Sequence, residues 1–216
     1  MQLIALPDLH NGGKNFLPRL KDELSQVDLL LLPGDITNGS RFAETLSEIM
    51  TYNPNVLAIP GNWERSQDIV YMQEQGIGLH RTHRIVDNIA FYGVGGALPY
   101  IGHLEFSEDQ LGGFAQDAVK ALPPELPEIF VCHHPPYNTL NDRNHSNNHV
   151  GSHDIREFIE QRQPLICFTG HIHEGVGIDT IGRTQIINPG PIWQAECYAY
   201  AEIINSEVKM LEIRQL

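Results

Sequence analysis

The 216-residue chain is 41% hydrophobic and 19% charged, a composition that can fill a buried core and excludes a disordered chain. Its formal net charge of −13 sets the surface against nucleic-acid backbones and anionic lipid, although a bound cation would reverse the sign locally. Residues 1–7 have no basic start, and no apolar run in the chain reaches the ~18 residues of a membrane span, so a cytoplasmic protein without membrane contact is expected.

Short apolar runs alternate with helical patterns. Residues 3–6 read as a first strand, and Leu17, Leu20, Leu24 and Val27 then recur at helical spacing. Residues 29–32 form a second buried strand; Phe42, Leu46, Ile49 and Met50 mark a helix; residues 56–59 form a third strand. That β-α-β-α-β order, with continuously apolar strands, predicts a sheet covered on both faces. Residues 84–92 read as two strands around an Asp87-Asn88 turn, and residues 107–122 as a helix. Residues 129–132 and 165–168 are further strands. Cys132 and Cys167 lie inside these runs as buried thiols, and with Cys197 they make no disulfide framework or cysteine zinc pattern. Ser152 caps a helix that runs to about Gln163 and is ended by Pro164. The tail reads as two hairpins, over residues 176–188 and 199–213. Residues 135–153 form a long polar loop, of a length that is usually functional or mobile.

Five segments place metal-ligand residue types just after a buried strand: Asp8-Leu9-His10, Gly34-Asp35, Gly61-Asn62, His133, and Gly170-His171-Ile172-His173. In α/β sheets functional residues gather beyond the carboxyl ends of the strands. Residues two apart on extended backbone point the same way, so Asp8 can face one point with His10, and His171 with His173. A lone Asp-x-His or Gly-Asp occurs by chance in many proteins. Five in one order predict a cluster of seven nitrogen and oxygen ligands.

As an ordered set these motifs resemble the calcineurin-like metallophosphoesterase superfamily, from the first strand to about Pro191. The resemblance implies a single metallophosphoesterase domain over residues 1–216. Its fold would be α/β, a four-layer α/β/β/α sandwich of two packed mixed sheets flanked by helices. It implies two divalent metal ions, one held by Asp8, His10 and His173, the other by Asn62, His133 and His171, with Asp35 bridging them. His133 is preferred to His134 because it directly follows its strand. Imidazole with carboxylate and amide oxygen suits manganese, iron, zinc, cobalt or nickel. The expected reaction is attack of a metal-bridging hydroxide on a phosphate ester, in line with the leaving oxygen, with Asn62 helping to orient the phosphate.

Many family members follow Gly-Asn with His and an acidic residue, whereas this chain has Trp63-Glu64. Indole cannot serve as a general acid, so Glu64 lacks its usual partner. This favours a small phosphodiester over a protein phosphatase substrate, with a phosphomonoesterase or a non-catalytic scaffold on the same fold as alternatives. His134 is a candidate replacement proton donor, whereas solvation is the commoner state for His145, His149 and His153. Nucleic acid is an unfavoured partner given the acidic charge and the lack of a basic run.

Overall fold

The computed structural model describes residues 1–10 and 15–216. Its strands form two mixed sheets. In the first, β1 (Gln2–Ala5), β2 (Leu29–Pro33) and β3 (Val56–Ile59) are parallel. The last two strands of the chain, β10 (Cys197–Ile204) and β11 (Glu207–Gln215), extend it antiparallel at the β1 edge, in the order β11-β10-β1-β2-β3. The second sheet holds β4 (His83–Val86), β5 (Ile89–Val94), β6 (Glu128–Cys132), β7 (Ile166–Phe168), β8 (Gly177–Ile181) and β9 (Thr184–Asn188). Its order is β4-β5-β6-β7-β9-β8, parallel through β5, β6, β7 and β9, with an antiparallel strand at each edge.

Strand pleating explains why these runs are apolar throughout. On β1, Leu3 and Ala5 face the second sheet, meeting a layer that includes Phe91, Ile129, Val131 and Phe168. The alternate residues Ile4 and Leu6 face outward, under α1 (Lys21–Gln26), α2 (Phe42–Tyr52) and α3 (Ser66–Glu74). Likewise Phe130 and Cys132 of β6 face outward, under α4 (Glu108–Val119) and α5 (His153–Arg162). Each central strand is buried on both faces, which gives the α/β/β/α layering. A four-residue helix, α6 (Ile192–Ala195), leads into β10. No helix among the described residues is long and apolar enough to cross a membrane.

Local sequence sets most element ends. Ser152 accepts from the N–H of Ile155 at the start of α5, and Gln163 turns left-handed at its end, before Pro164. Asp87 and Asn88 both take positive φ in the β4–β5 turn, as do Asn205 and Ser206 between β10 and β11. One expectation needs correction, and one helix had not been expected. The helical spacing of residues 17–27 becomes a 3-10 turn, Leu17–Leu20, followed by the short α1; Val27 is already extended, because Asp28 N–H bonds Gln2 O and opens the sheet. Helix α3 was not anticipated: only Asp68 and Met72 on it are buried and Val70 is half exposed, so it carries no apolar stripe to read.

His80, which has no distinguishing spacing in the sequence, is a buried structural group. Its Nδ1 accepts from Gly95 N–H at 2.9 Å, and its ring packs on Phe106 and Phe114. Burial, with the adjacent Arg81 charge, pushes its pKa down from 6.5 to about 4. The unfolded chain therefore binds this proton more readily, and stability is lost as pH falls from 6.5 towards 4. The loss should amount to about 3 kcal/mol at most. His80→Asn, whose amide oxygen can take the Gly95 N–H, should flatten that part of the profile. Denaturant midpoints that fall in parallel for both proteins would remove His80 as the cause.

Candidate metal centre

All five segments lie beyond the carboxyl ends of parallel strands: Asp8 and His10 after β1, Asp35 after β2, Asn62 after β3, His133 after β6, and His171 and His173 after β7. The structure brings all seven side chains into one cluster where the two sheets meet. His173 Nε2 lies 3.8 Å from Asp8 Oδ1, and His10 Nε2 lies 3.7 Å from Asp35 Oδ2. His133 Nε2 lies 3.6 Å from the same Asp35 oxygen. Asn62 Oδ1 is shared by His133 Nε2 at 3.0 Å and His171 Nδ1 at 2.9 Å.

The extended-backbone argument for this convergence does not hold. Asp8, His10, Asp35 and His171 all have φ between 46° and 66°, in the left-handed region. The side chains converge because the backbone turns at each strand end, not because residues alternate. Such strained positions cluster at functional sites. The neighbouring glycines allow the loops to meet: a Cβ on Gly61 would lie 2.0 Å from Asp35 Oδ1 and 2.3 Å from Asp35 N. At Gly34, which has φ 95°, a Cβ would lie 2.5 Å from His133 Nδ1.

Surrounding groups fix each side chain. His133 Nδ1–H donates to Pro33 O at 2.8 Å, which turns Nε2 to the cluster. Asp8 accepts from the N–H of His171, and Trp193 Nε1–H donates to Asp8 O. Asn62 Nδ2 donates to Ile101 O at 2.6 Å, leaving Oδ1 facing the two imidazoles. Glu64 is fully buried and accepts three backbone N–H groups: Asp35 at 2.9 Å, Thr37 at 2.9 Å and Gly61 at 2.6 Å. With Trp63 in place of the usual histidine, its partners are instead backbone groups of the Asp35 and Asn62 loops. The roles of Pro33, Ile101 and Trp193 had no sequence signal, since two act through main-chain carbonyls and Trp193 reaches across from the far end of the chain.

The electrostatics suit a cation. Burial pushes Asp8 up to about 7, with the Asp35 charge adding and His133 opposing. His133 rises to about 9: burial lowers it, but the charge and hydrogen bond of Asp35 outweigh that. Burial lowers His10, His171 and His173, the neutral forms in which imidazole ligates. His10 Nε2 and His173 Nε2 face each other at 3.4 Å, and the ligand atoms of Asp8, His10 and His173 lie within 4.8 Å of one another, as do those of Asp8, Asp35 and His133. Two imidazole nitrogens turned on each other beside carboxylates fit a divalent ion, and the donor set matches a transition metal.

Four of the clustered residues, Asp35, Asn62, His171 and His173, line a cleft of about 630 Å³. Trp63, Leu98, Pro99, Tyr100 and Ile101 make one wall, and Asn144, His145, Ser146 and Glu174 lie among the polar lining. Trp193 packs edge-on against the rings of His10 and His173.

A family model described as calcineurin-like phosphoesterase matches residues 1–175. The chain belongs to the calcineurin-like phosphoesterases. The matched region ends just after His173, so all seven clustered residues fall inside the phosphoesterase match. Among relatives, an uncharacterised protein of Methanocaldococcus jannaschii, MJ1162, is 35% identical over 201 residues, covering 88% of each chain. A UPF0046 protein of Caenorhabditis elegans is 26% identical over 208 residues, covering 87% of this chain and 69% of that one. The solved structure of TT1561 from Thermus thermophilus superposes with a TM-score of 0.74 at 16% identity, covering 99% of this chain and 98% of that one. This last likeness concerns the phosphoesterase fold.

Proposed function

We propose that the protein is a dinuclear-metal phosphodiesterase acting on small phosphate diesters. On this reading residues 1–216 are one domain working in the cytoplasm, Asp8, His10 and His173 would hold one divalent metal ion, Asn62, His133 and His171 would hold the other, and Asp35 would serve both. Manganese, iron, zinc, cobalt and nickel all suit that donor set. Two such ions together activate water for attack at neutral pH and offset phosphoryl charge.

The lining of the cleft carries the preference for diesters. Among the described residues it contains no lysine or arginine, while Trp63, Leu98, Pro99, Tyr100 and Ile101 present an apolar wall and Asp35 and Glu174 contribute carboxylates. A diester brings one negative charge and two ester arms, and an apolar arm can pack along that wall. A monoester dianion brings a second charge that no side-chain cation in the lining offsets, in a protein of net charge −13. Asn62 positions as well as ligates: one N–H of its amide is tied to Ile101 O, and the other remains for a phosphoryl oxygen. Trp63 shapes the wall above it.

The test is to strip the protein with chelator and restore manganese, nickel, zinc or magnesium. Hydrolysis of bis-p-nitrophenyl phosphate should vanish and return with a transition metal. The value of kcat/KM should exceed that for p-nitrophenyl phosphate by roughly tenfold or more, the scale of about 1.4 kcal/mol in transition-state binding. Higher efficiency on the monoester would replace the diester assignment, and two bound metals without turnover on either would favour a scaffold.

A further inference from the structure

A leaving alkoxide needs a proton, and the imidazoles lining the cleft are His134, His145, His171 and His173. His171 and His173 belong to the metal cluster. His134 is 3% exposed, its Nε2–H donates to Val150 O at 3.1 Å, and its Nδ1 is buried with no partner. It has no proton to present to the cleft. His145 differs on each count. Its side chain is 84% exposed and it lines the cleft. Its Nε2 pairs with the carboxylate of Glu174, the residue after His173. Glu174 thus ties His145 to the same loop that brings His171 and His173 to the metal cluster.

The loop that presents His145 is built. Asp142 at its root is fully buried and accepts the N–H groups of Asn138, Thr139 and Gly151, together with His149 Nδ1–H at 2.6 Å. Arg143 and His149 form a bridge, Asn144 N–H bonds Asn148 O, and Asn144 Oδ1 accepts from Ser146 and Asn148. His153 stacks on Tyr137, centroids 3.8 Å apart. Of the three loop histidines, His149 and His153 thus have structural work, and His145 stands at the tip facing the cleft.

We propose that His145 is the general acid for the leaving group, positioned by Glu174. This rests on the phosphodiesterase reading above. Glu174 holds the Nε2 proton, and Nδ1 carries the proton that is transferred. As water adds to phosphorus, the P–O bond to the leaving group breaks and its electron pair stays on that oxygen. The oxygen takes the Nδ1 proton and departs as an alcohol. The attacking water releases one proton to solvent, and solvent restores Nδ1, so the balance is one water consumed per ester cleaved.

The experiment uses metal-loaded protein and methyl aryl phosphate diesters whose leaving groups run from p-nitrophenol through p-chlorophenol to phenol. For His145→Gln, kcat on the phenyl ester should fall roughly 100-fold, and on the p-nitrophenyl ester less than about tenfold, because a good leaving group needs little protonation. Glu174→Gln should steepen the same dependence to a smaller degree. Metal content by elemental analysis should match wild type in both variants. An equal fall on every ester, or no fall, would overturn the assignment while leaving the phosphodiesterase reading intact. Loss of metal from His145→Gln would make His145 a ligand and overturn it also. A wild-type protein that hydrolyses none of the esters would sink the underlying reading and this assignment with it.

Discussion

Asp35→Ala is expected to abolish metal-dependent hydrolysis, lowering kcat by roughly 10³-fold or more, since on the proposed reading Asp35 would serve both metals and its loss would touch all of the charge stabilisation they supply. Asp35 is almost completely buried, and its Oδ2 is approached by His10 at 3.7 Å and His133 at 3.6 Å, from opposite halves of the cluster. Burial would raise its pKa, but the His133 charge and hydrogen bond hold the carboxyl below its ordinary value, so an anion stands there for a cation to use. Elemental analysis should show both metals depleted. Asp35→Asn keeps an acceptor for Trp63 N–H and separates loss of charge from loss of loop structure. Full metal occupancy and wild-type turnover in Asp35→Ala would refute the bridging role and the assignment of this cluster as the catalytic centre.

Glu64→Ala should be among the most destabilising single substitutions in the chain. It strips the acceptor from the N–H groups of Asp35, Thr37 and Gly61 inside a fully buried pocket. Each stranded donor costs about 1–3 kcal/mol, so a loss of about 3–5 kcal/mol is expected. That is a large share of a typical domain's stability. Glu64→Gln keeps one oxygen and should lose less. Burial, with the Asp35 charge, pushes the Glu64 carboxyl up to about 8, against the pull of the Thr37 and Gly61 N–H groups. The three N–H groups it accepts are what offset the burial of this carboxyl. Urea denaturation of the three proteins measures the order, and an Ala variant within about 1 kcal/mol of wild type would contradict the account.

The sequence carried the candidate ligand set because each ligand type follows a short apolar strand, and that pairing is local. Helix α5 was legible for the same reason: Ser152 and Pro164 punctuate it within its own segment. Helix α3 was not, since its apolar side is too slight to show a period. Trp63 beside Asn62 shows the limit of a motif: the sequence marks the missing histidine, but which other imidazoles line the cleft, His145 among them, depends on how distant loops pack.

The sequence by itself determined the layered α/β class, the strand ends and the residue types collected there, because burial and turn chemistry act over a few neighbouring residues. Only the tertiary structure decided that Asp8 and His171 meet from 163 residues apart, that Glu64 serves the Asp35 loop, and that Glu174 holds His145 at the cleft. Those contacts depend on left-handed turns and on two sheets packed face to face, and neither leaves a periodic trace in the chain.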